Sequence, residues 1–275
     1  MDIKLGIKLG FIGAGNMGSA MMKGILSSGL IKAGDIYMSD VNRRKLEALK
    51  EENGVNIVSC NRELVEKSDV IILAVKPNMA KEVLEPLKEL IDDKKLLITI
   101  ILGLPIKFYR RILGDGLKII RTMPNTPALI GEGMILMSYD SAVGEEDIKT
   151  AKMLLESLGK VEVLDEKLMS EVTAVTGSSP AYVYMFIEAM ADAAVRSGIP
   201  RNLAYELAAQ AVAGSAKMVL RTGKHPGILK DEVCSPAGST IEAVAALEKH
   251  GFRYAIMDAM EECTKKAREV GKMYE

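Results

Sequence analysis

The first half of the chain alternates short apolar runs with stretches whose apolar residues recur every three or four positions. Runs at 7–12 (IKLGFI), 35–39 (DIYMS), 56–58, 70–75 (VIILAV), 96–101 (LLITII), 117–121 (LKIIR) and 134–138 are predicted strands. Between them, 16–29, 42–52, 61–67, 79–91 and 105–113 carry the helical period. VIILAV lacks polar alternation, as expected of a parallel strand buried on both faces. Strand and helix taking turns predicts an α/β fold with a doubly wound sheet. A helix is predicted at 145–158, and beyond residue 165 only helical patterns remain, at 166–175, 180–197, 201–222, 237–249 and 252–271.

Polarity is distributed unusually in that helical half. Along 180–197 the charges Glu188, Asp192 and Arg196 fall four apart, leaving one narrow polar stripe and an apolar remainder. Along 201–222, Glu206, Gln210, Lys217 and Arg221 form the wet side, and alanine fills much of the rest. The helix at 252–271 is ordinary, with Phe252, Ala255, Ile256, Ala259, Met260 and Cys263 on one face. A domain of roughly 110 residues covers two such helices poorly, because small domains bury a smaller share of their surface. A second subunit is therefore expected over them, with burial against the first domain as the alternative.

Composition then narrows the chemistry. The 275 residues allow one large domain or two ordinary ones. With 36 Lys+Arg against 37 Asp+Glu, no global field favours nucleic acid or an acidic membrane, so any anion is recognised locally. Cys60, Cys234 and Cys263 give neither a disulfide framework nor a zinc spacing. Two histidines, His225 and His250, do not make a His-rich metal site. The start, MDIKLGIKLGFIG, has too short an apolar stretch for a secretory signal, and no segment approaches the ~18 apolar residues of a membrane span. The chain reads as cytoplasmic, and its last residues, KKAREVGKMYE, as a fraying helix end.

FIGAGNMG, residues 11–18, places G-x-G-x-x-G between a strand and a helix. Gly13 permits the tight turn, Gly15 lets backbone approach a pyrophosphate, and Gly18 allows close helix–strand packing. The helix start offers free N–H groups to phosphates. At the end of the second predicted strand, Asp40 stands where an acidic residue binds an adenosine ribose, which favours NAD. Ser39, Asn42, Arg43 and Arg44 beside it suit a 2′-phosphate, which favours NADP; alternatively, Asn42 only starts a helix whose arginines are solvated. The turn after VIILAV, with Lys76 and Pro77, is expected to flank the nicotinamide half. In RTMPNTP, residues 121–127, Asn125 and Thr126 sit on a stiff loop that either positions a ligand or is an ordinary Pro-Asn turn. In TGSSPAY, residues 176–182, Ser179 is a candidate N-cap with Pro180 at the first helical position. SPAGST, residues 235–240, precedes a helical run and suits a carboxylate; Ser239 and Thr240 are equally explained as caps.

Taken together and in this order, these strings resemble pyrroline-5-carboxylate reductase, from residue 9 to residue 271. The most specific are the MPNTP loop, GSSPAY, and HPGILKDEV followed by SPAGSTI. The resemblance implies a Rossmann domain over 1–165 and an all-helical substrate-binding and dimerisation domain over 166–275, hence an interlocked homodimer; many members assemble further into rings of dimers. It implies reduction of L-1-pyrroline-5-carboxylate to L-proline, the last step of proline biosynthesis, generally with NADPH and often also with NADH. Carried over by position, Gly13, Asn16 and Met17 line the pyrophosphate, Ser39 and Asp40 the adenosine ribose, and Asn61 the adenosine side. Ala74, Val75, Lys76 and Pro77 run along the cofactor. Ser235, Gly238, Ser239 and Thr240 hold the substrate, with Thr240 closest to the ring nitrogen. There are departures: Ser178 and Ser179 where many members read Ser-Gly, Cys234 where Ser is common, Ala237 where Gly is common, and TIILGL at 99–104 in place of a small-residue loop.

The implied chemistry needs no His or acid–base dyad, since a protonated cyclic imine accepts hydride readily. The protein must orient the reactants and exclude water. A β-hydroxyacid dehydrogenase shares this domain plan but carries a catalytic Lys in the long helix after the domain junction, and 176–196 contains no Lys. A non-catalytic nicotinamide-binding module would keep the glycine-rich loop and need no SPAGST cradle.

Overall fold

The computed structural model describes residues 5–274. Residues 1–4 of the stretch read against a secretory signal, and Glu275 of the stretch read as fraying, lie outside them. Eight strands form one sheet: β1 (Leu9–Ile12), β2 (Ile36–Ser39), β3 (Asn56–Ile57), β4 (Val70–Leu73), β5 (Leu96–Thr99), β6 (Lys118–Met123), β7 (Gly133–Tyr139) and β8 (Gly159–Val163). The order is β3-β2-β1-β4-β5-β6-β7-β8, parallel throughout except for the β6–β7 pair. The helices between them are α1 (Asn16–Ser27), α2 (Arg43–Asn53), α3 (Asn61–Lys67), α4 (Ala80–Leu84), α5 (Ile106–Leu113) and α6 (Glu145–Glu156). The period of two explains why both faces of the sheet are apolar. Val70 and Ile72 join Leu9, Phe11, Ile98 and Ile120 in one buried layer with α1 and α6. Ile71 and Leu73 join Leu97 and Ile119 in the opposite layer with α3 to α5. This is the doubly wound Rossmann-type sheet that the alternating pattern predicts.

Three elements differ from expectation. β8 lies in KVEV, whose alternation of charged and apolar residues marks a half-exposed edge strand. The helix predicted at 79–91 is reduced to α4 flanked by 3-10 turns, because Pro86 cannot donate to a continuing ladder. The helix predicted at 166–175 is a 3-10 turn, the short α7 (Met169–Val172) and a π-helical turn over Thr173–Gly177. There Thr173 and Thr176 donate their hydroxyls to the carbonyls of Met169 and Val172, four residues back, a bond that bends helices.

The described chain divides into two compact units, one running to Gly177 and resuming at Thr264, the other Ser178–Cys263. The second is helical: α8 (Ser179–Arg196), α9 (Arg201–Thr222), α10 (Pro226–Val233), α11 (Ser239–Lys249) and the first part of α12 (Phe252–Lys272). Among its described residues only Ala191, Ala204 and Ala208 are buried. Small side chains let α8 and α9 approach closely, Ile187 and Met190 are half-buried, and Tyr184, Met185 and Leu220 are exposed. Even α12, read as an ordinary amphipathic helix, buries nothing: Phe252 and Ile256 are exposed.

Candidate active site

β1 and β4 are neighbours, and the chain leaves them in opposite directions across the sheet. The crevice at such a reversal, beyond the strands' C-terminal ends, is where open α/β sheets take ligands. The loop after β1 is pinned from both sides: Gly13 N–H donates to Ser39 O at 2.8 Å, and Ala74 N–H to Ile12 O at 2.8 Å. Gly13 has φ +103°, and a Cβ there would lie 2.5 Å from Ala74 O, so only glycine fits. A Cβ on Gly18 would lie 2.4 Å from Gly13 O, which explains the third glycine. Gly15 faces open space, and α1 begins at Asn16 with no side-chain cap. Its first N–H groups are thus left for an anion, and the cradle fits a dinucleotide's pyrophosphate.

At the end of β2, Asp40 accepts Ala14 N–H at 2.6 Å and Asn42 N–H at 2.8 Å. Ser39 Oγ donates to Asn61 Oδ1 at 2.7 Å, which brings two of the three expected adenosine residues into contact. Asn42 caps α2 by accepting from Lys45 N–H, so the capping reading of that residue holds. Arg43 reaches Glu47 and Val58 O, both at the edge of hydrogen-bonding distance. Val41 is fully exposed. Ala74 and Val75 are half-buried after β4, Lys76 is exposed, and Pro77 opens a 3-10 turn. Sequence reasoning missed Ala14 as Asp40's partner, a contact spanning 26 positions that only sheet register creates.

Thr99 ends β5 in a buried hydroxyl chain with Tyr109 at 2.7 Å, while Thr122 donates to its carbonyl. Burial drives the Tyr109 phenol well above its ordinary value, keeping it neutral. Asn125 is already engaged within its own unit: Nδ2 donates to Thr176 O at 3.0 Å, and Oδ1 accepts Met134 N–H at 2.9 Å. It clamps the β6–β7 connection to the π-helical turn, with one amide proton left over.

In the helical unit, α8 begins at Ser179 rather than after it, so Ser179 is not the N-cap; that position falls to Ser178, without a side-chain cap bond. Ser178 Oγ accepts from Cys263 Sγ at 3.1 Å. Burial and that neighbouring thiol raise the Tyr182 phenol. In SPAGST, Gly238 N–H donates to Ser235 O at 3.1 Å, closing a turn with Pro236 second and Ala237, at φ 55°, third. Gly238 is the N-cap of α11, and no side chain caps that helix. The capping explanation of Ser239 and Thr240 therefore fails. Their hydroxyls stand in the helix's first turn, beside N–H groups that no side chain occupies. HPGILKDEV, read only as part of a motif, forms α10, with His225 Nδ1 accepting Gly227 N–H at 3.0 Å as its cap.

A family model for pyrroline-5-carboxylate reductase dimerisation matches residues 166–270, and one for NADP oxidoreductase, coenzyme F420-dependent, matches residues 8–103. A pyrroline-5-carboxylate reductase of Escherichia coli is 46% identical over 265 residues, covering 96% of this chain and 98% of its own. The chain belongs to the pyrroline-5-carboxylate reductase family. The Arabidopsis thaliana pyrroline-5-carboxylate reductase is 41% identical over 268 residues, 96% of each chain. The crystal structure of the Plasmodium falciparum pyrroline carboxylate reductase, with NADP bound, matches with a TM-score of 0.87 at 37% identity, covering 98% of this chain and 99% of that one. Pyrroline-5-carboxylate reductases are NAD(P)-dependent oxidoreductases, so the glycine-rich cradle after β1 lies in an enzyme of that class. Of the departures from the family's common residues, Ala237 holds a positive φ that glycine adopts more readily, and TIILGL leaves Leu102 exposed at the end of β5.

Proposed function

We propose that this chain reduces L-1-pyrroline-5-carboxylate to L-proline with NADPH, and also with NADH. The observation that carries the reading is the uncapped start of α11, where Ser239, Thr240 and the first-turn N–H groups form a cradle for a small carboxylate. Bound NAD(P)H supplies the hydride. The protein's own part is to hold and orient. Gly13, Gly15, Asn16, Met17 and Gly18 take the pyrophosphate, and Ser39, Asp40 and Asn61 the adenosine side. Ala74 to Pro77 flank the cofactor. Ser235, Gly238 and Ser239 hold the carboxylate, while Thr240 donates to or accepts from the ring nitrogen. Asn125, already fixed at both ends, supports the loop and has one proton free for substrate. Orientation and exclusion of water suffice for an electrophile of this kind.

The same reading takes residues 166–275 as the substrate-binding and dimerisation domain, with 1–165 binding the dinucleotide. The exposed apolar faces of α8 and α9 support a homodimer joined through them, and rings of dimers and a cytoplasmic location go with it. No described helix is long and apolar enough to cross a membrane. The test is nicotinamide absorbance with purified protein and pyrroline-5-carboxylate, with proline identified as product. Cofactor that binds but is never oxidised would refute the reaction and favour a non-catalytic module.

A further inference from the structure

The chain leaves β5 at Thr99 and enters α5 at Ile106, and residues 100–105 between them have no regular structure. Ile100 N–H donates to Leu73 O at 3.1 Å, so this connection borders the turn after β4. Ala74 to Pro77 follow Leu73 directly, which sets the connection beside the cofactor's path in the reductase reading. An irregular segment has few hydrogen bonds of its own, so its rigidity must be supplied from outside.

Three contacts supply it. At the start, Thr99 Oγ1 accepts Ile101 N–H at 3.3 Å and is bonded to the Tyr109 hydroxyl at 2.7 Å. In the middle, Gly103 has φ +83°, and a Cβ there would lie 3.1 Å from Val270 Cγ1. At the end, the N-cap of α5 is Pro105, whose side chain has no acceptor to offer. Ile106 N–H donates instead to Glu166 Oε1 at 2.8 Å, 60 positions away.

Glu166 is itself held. Arg121 Nη1 donates to the same oxygen at 3.0 Å, and Arg121 stands on β6 opposite Thr99 in the parallel register. Asp165 fixes the turn that carries Glu166 by accepting Lys167 N–H at 3.0 Å. A carboxylate at a helix start also meets the positive end of the helix dipole. One oxygen thus ties β6, α5 and the 100–105 connection together.

We propose that Glu166 is a positioning residue for hydride transfer: without touching substrate or cofactor, it holds the 100–105 connection, with its exposed Leu102, in the arrangement that orients the nicotinamide. The inference rests on the reductase reading above. Small misplacements of reacting groups cost large factors in rate, so the loss is expected in the hydride step rather than in cofactor binding. Both bonds end on one oxygen, so the carbonyl of Glu166→Gln can accept both, whereas Glu166→Ala accepts neither.

Three measurements on the two variants test this. Hydrogen exchange of the 100–106 amides, read without cofactor or substrate, should quicken at least about tenfold in Glu166→Ala and stay near wild type in Glu166→Gln. The single-turnover rate of NADPH oxidation with pyrroline-5-carboxylate should fall at least about tenfold in Glu166→Ala and less than about threefold in Glu166→Gln. The Kd for NADPH should move less than about threefold in both. A smaller fall in Glu166→Ala, an equal fall in Glu166→Gln, or a loss of affinity as large as the loss of rate overturns the assignment. Should Glu166→Ala fail to fold, Glu166→Asp keeps the charge but withdraws the oxygen by one methylene; a fall of at least about threefold in the single-turnover rate is then expected, and a smaller one refutes the role. A folded wild-type protein that oxidises no NADPH refutes the reductase reading and the positioning role with it, while turnover with an unaffected Glu166→Ala sinks only the inference.

Discussion

In the sheet-bearing unit Leu9, Phe11, Ile72, Ile98 and Ile120 are inaccessible, whereas in Ser178–Cys263 the buried residues are three alanines. Both segments are rich in apolar side chains, so hydrophobicity alone does not separate them. Geometry does. The sheet sandwiches its strands between helices of the same chain, and its pattern is satisfied internally. On α8 and α9, Tyr184, Met185, Leu207 and Leu220 stay exposed, and burying them needs a surface from another molecule. An apolar pattern can thus specify a core or an interface, and the width of the polar stripe alone does not decide which, since α12 with its ordinary stripe buries nothing either.

The sharpest way to break this contrast is a charge on the exposed face. Met185→Glu combined with Leu220→Glu is expected to weaken self-association by at least about a hundredfold, halving the mass seen by light scattering. A wild-type protein that is monomeric at high concentration would sink the comparison. In the sheet, Ile98→Ala should cost roughly 2–5 kcal/mol in denaturant unfolding. The cost of the same truncation at Leu220 should instead vary with protein concentration, present where the dimer is populated and vanishing where it has dissociated. Thr240→Ala is expected to lower kcat/KM by roughly ten- to a hundredfold, the scale of one lost polar contact, with the melting temperature unchanged. A drop in melting temperature with intact kinetics would return Thr240 to a structural role.

The smallest effect concerns the surface of the sheet unit. Lys67 and the N–H and hydroxyl of Ser59 hold the Glu63 carboxyl down to about 2. A depressed carboxyl contributes stability above its unfolded value, near 4.5, and loses it as pH falls through the folded value. Glu63→Gln should therefore be slightly less stable than wild type at neutral pH, the gap closing between about pH 4.5 and pH 2 in denaturant titrations. Exposure keeps the effect small. A gap that persists at pH 2 would assign it to something other than the charge.

What the sequence made legible follows the range of the forces involved. VIILAV announces a strand because burial on both faces is written into six adjacent residues, and the GAGNMG turn is legible because local backbone geometry demands glycine. The edge strand β8 was obscured by its charges, and Pro86 broke a helix that apolar spacing alone would continue. The Asp40–Ala14 bond joins residues that are neighbours only once β1 and β2 pair in register. Whether Ser239 and Thr240 cap α11 depended on one backbone junction, Gly238, that residue types alone do not determine.

The turn before α11 has a thermal consequence. Ala237 sits at φ 55°, a region that costs a residue with a Cβ about 1 kcal/mol or more. In the unfolded chain alanine also wanders less than glycine, which offsets part of that cost. Ala237→Gly therefore relieves strain in the folded turn but gives the unfolded chain more freedom, so the two effects oppose each other in the melting temperature.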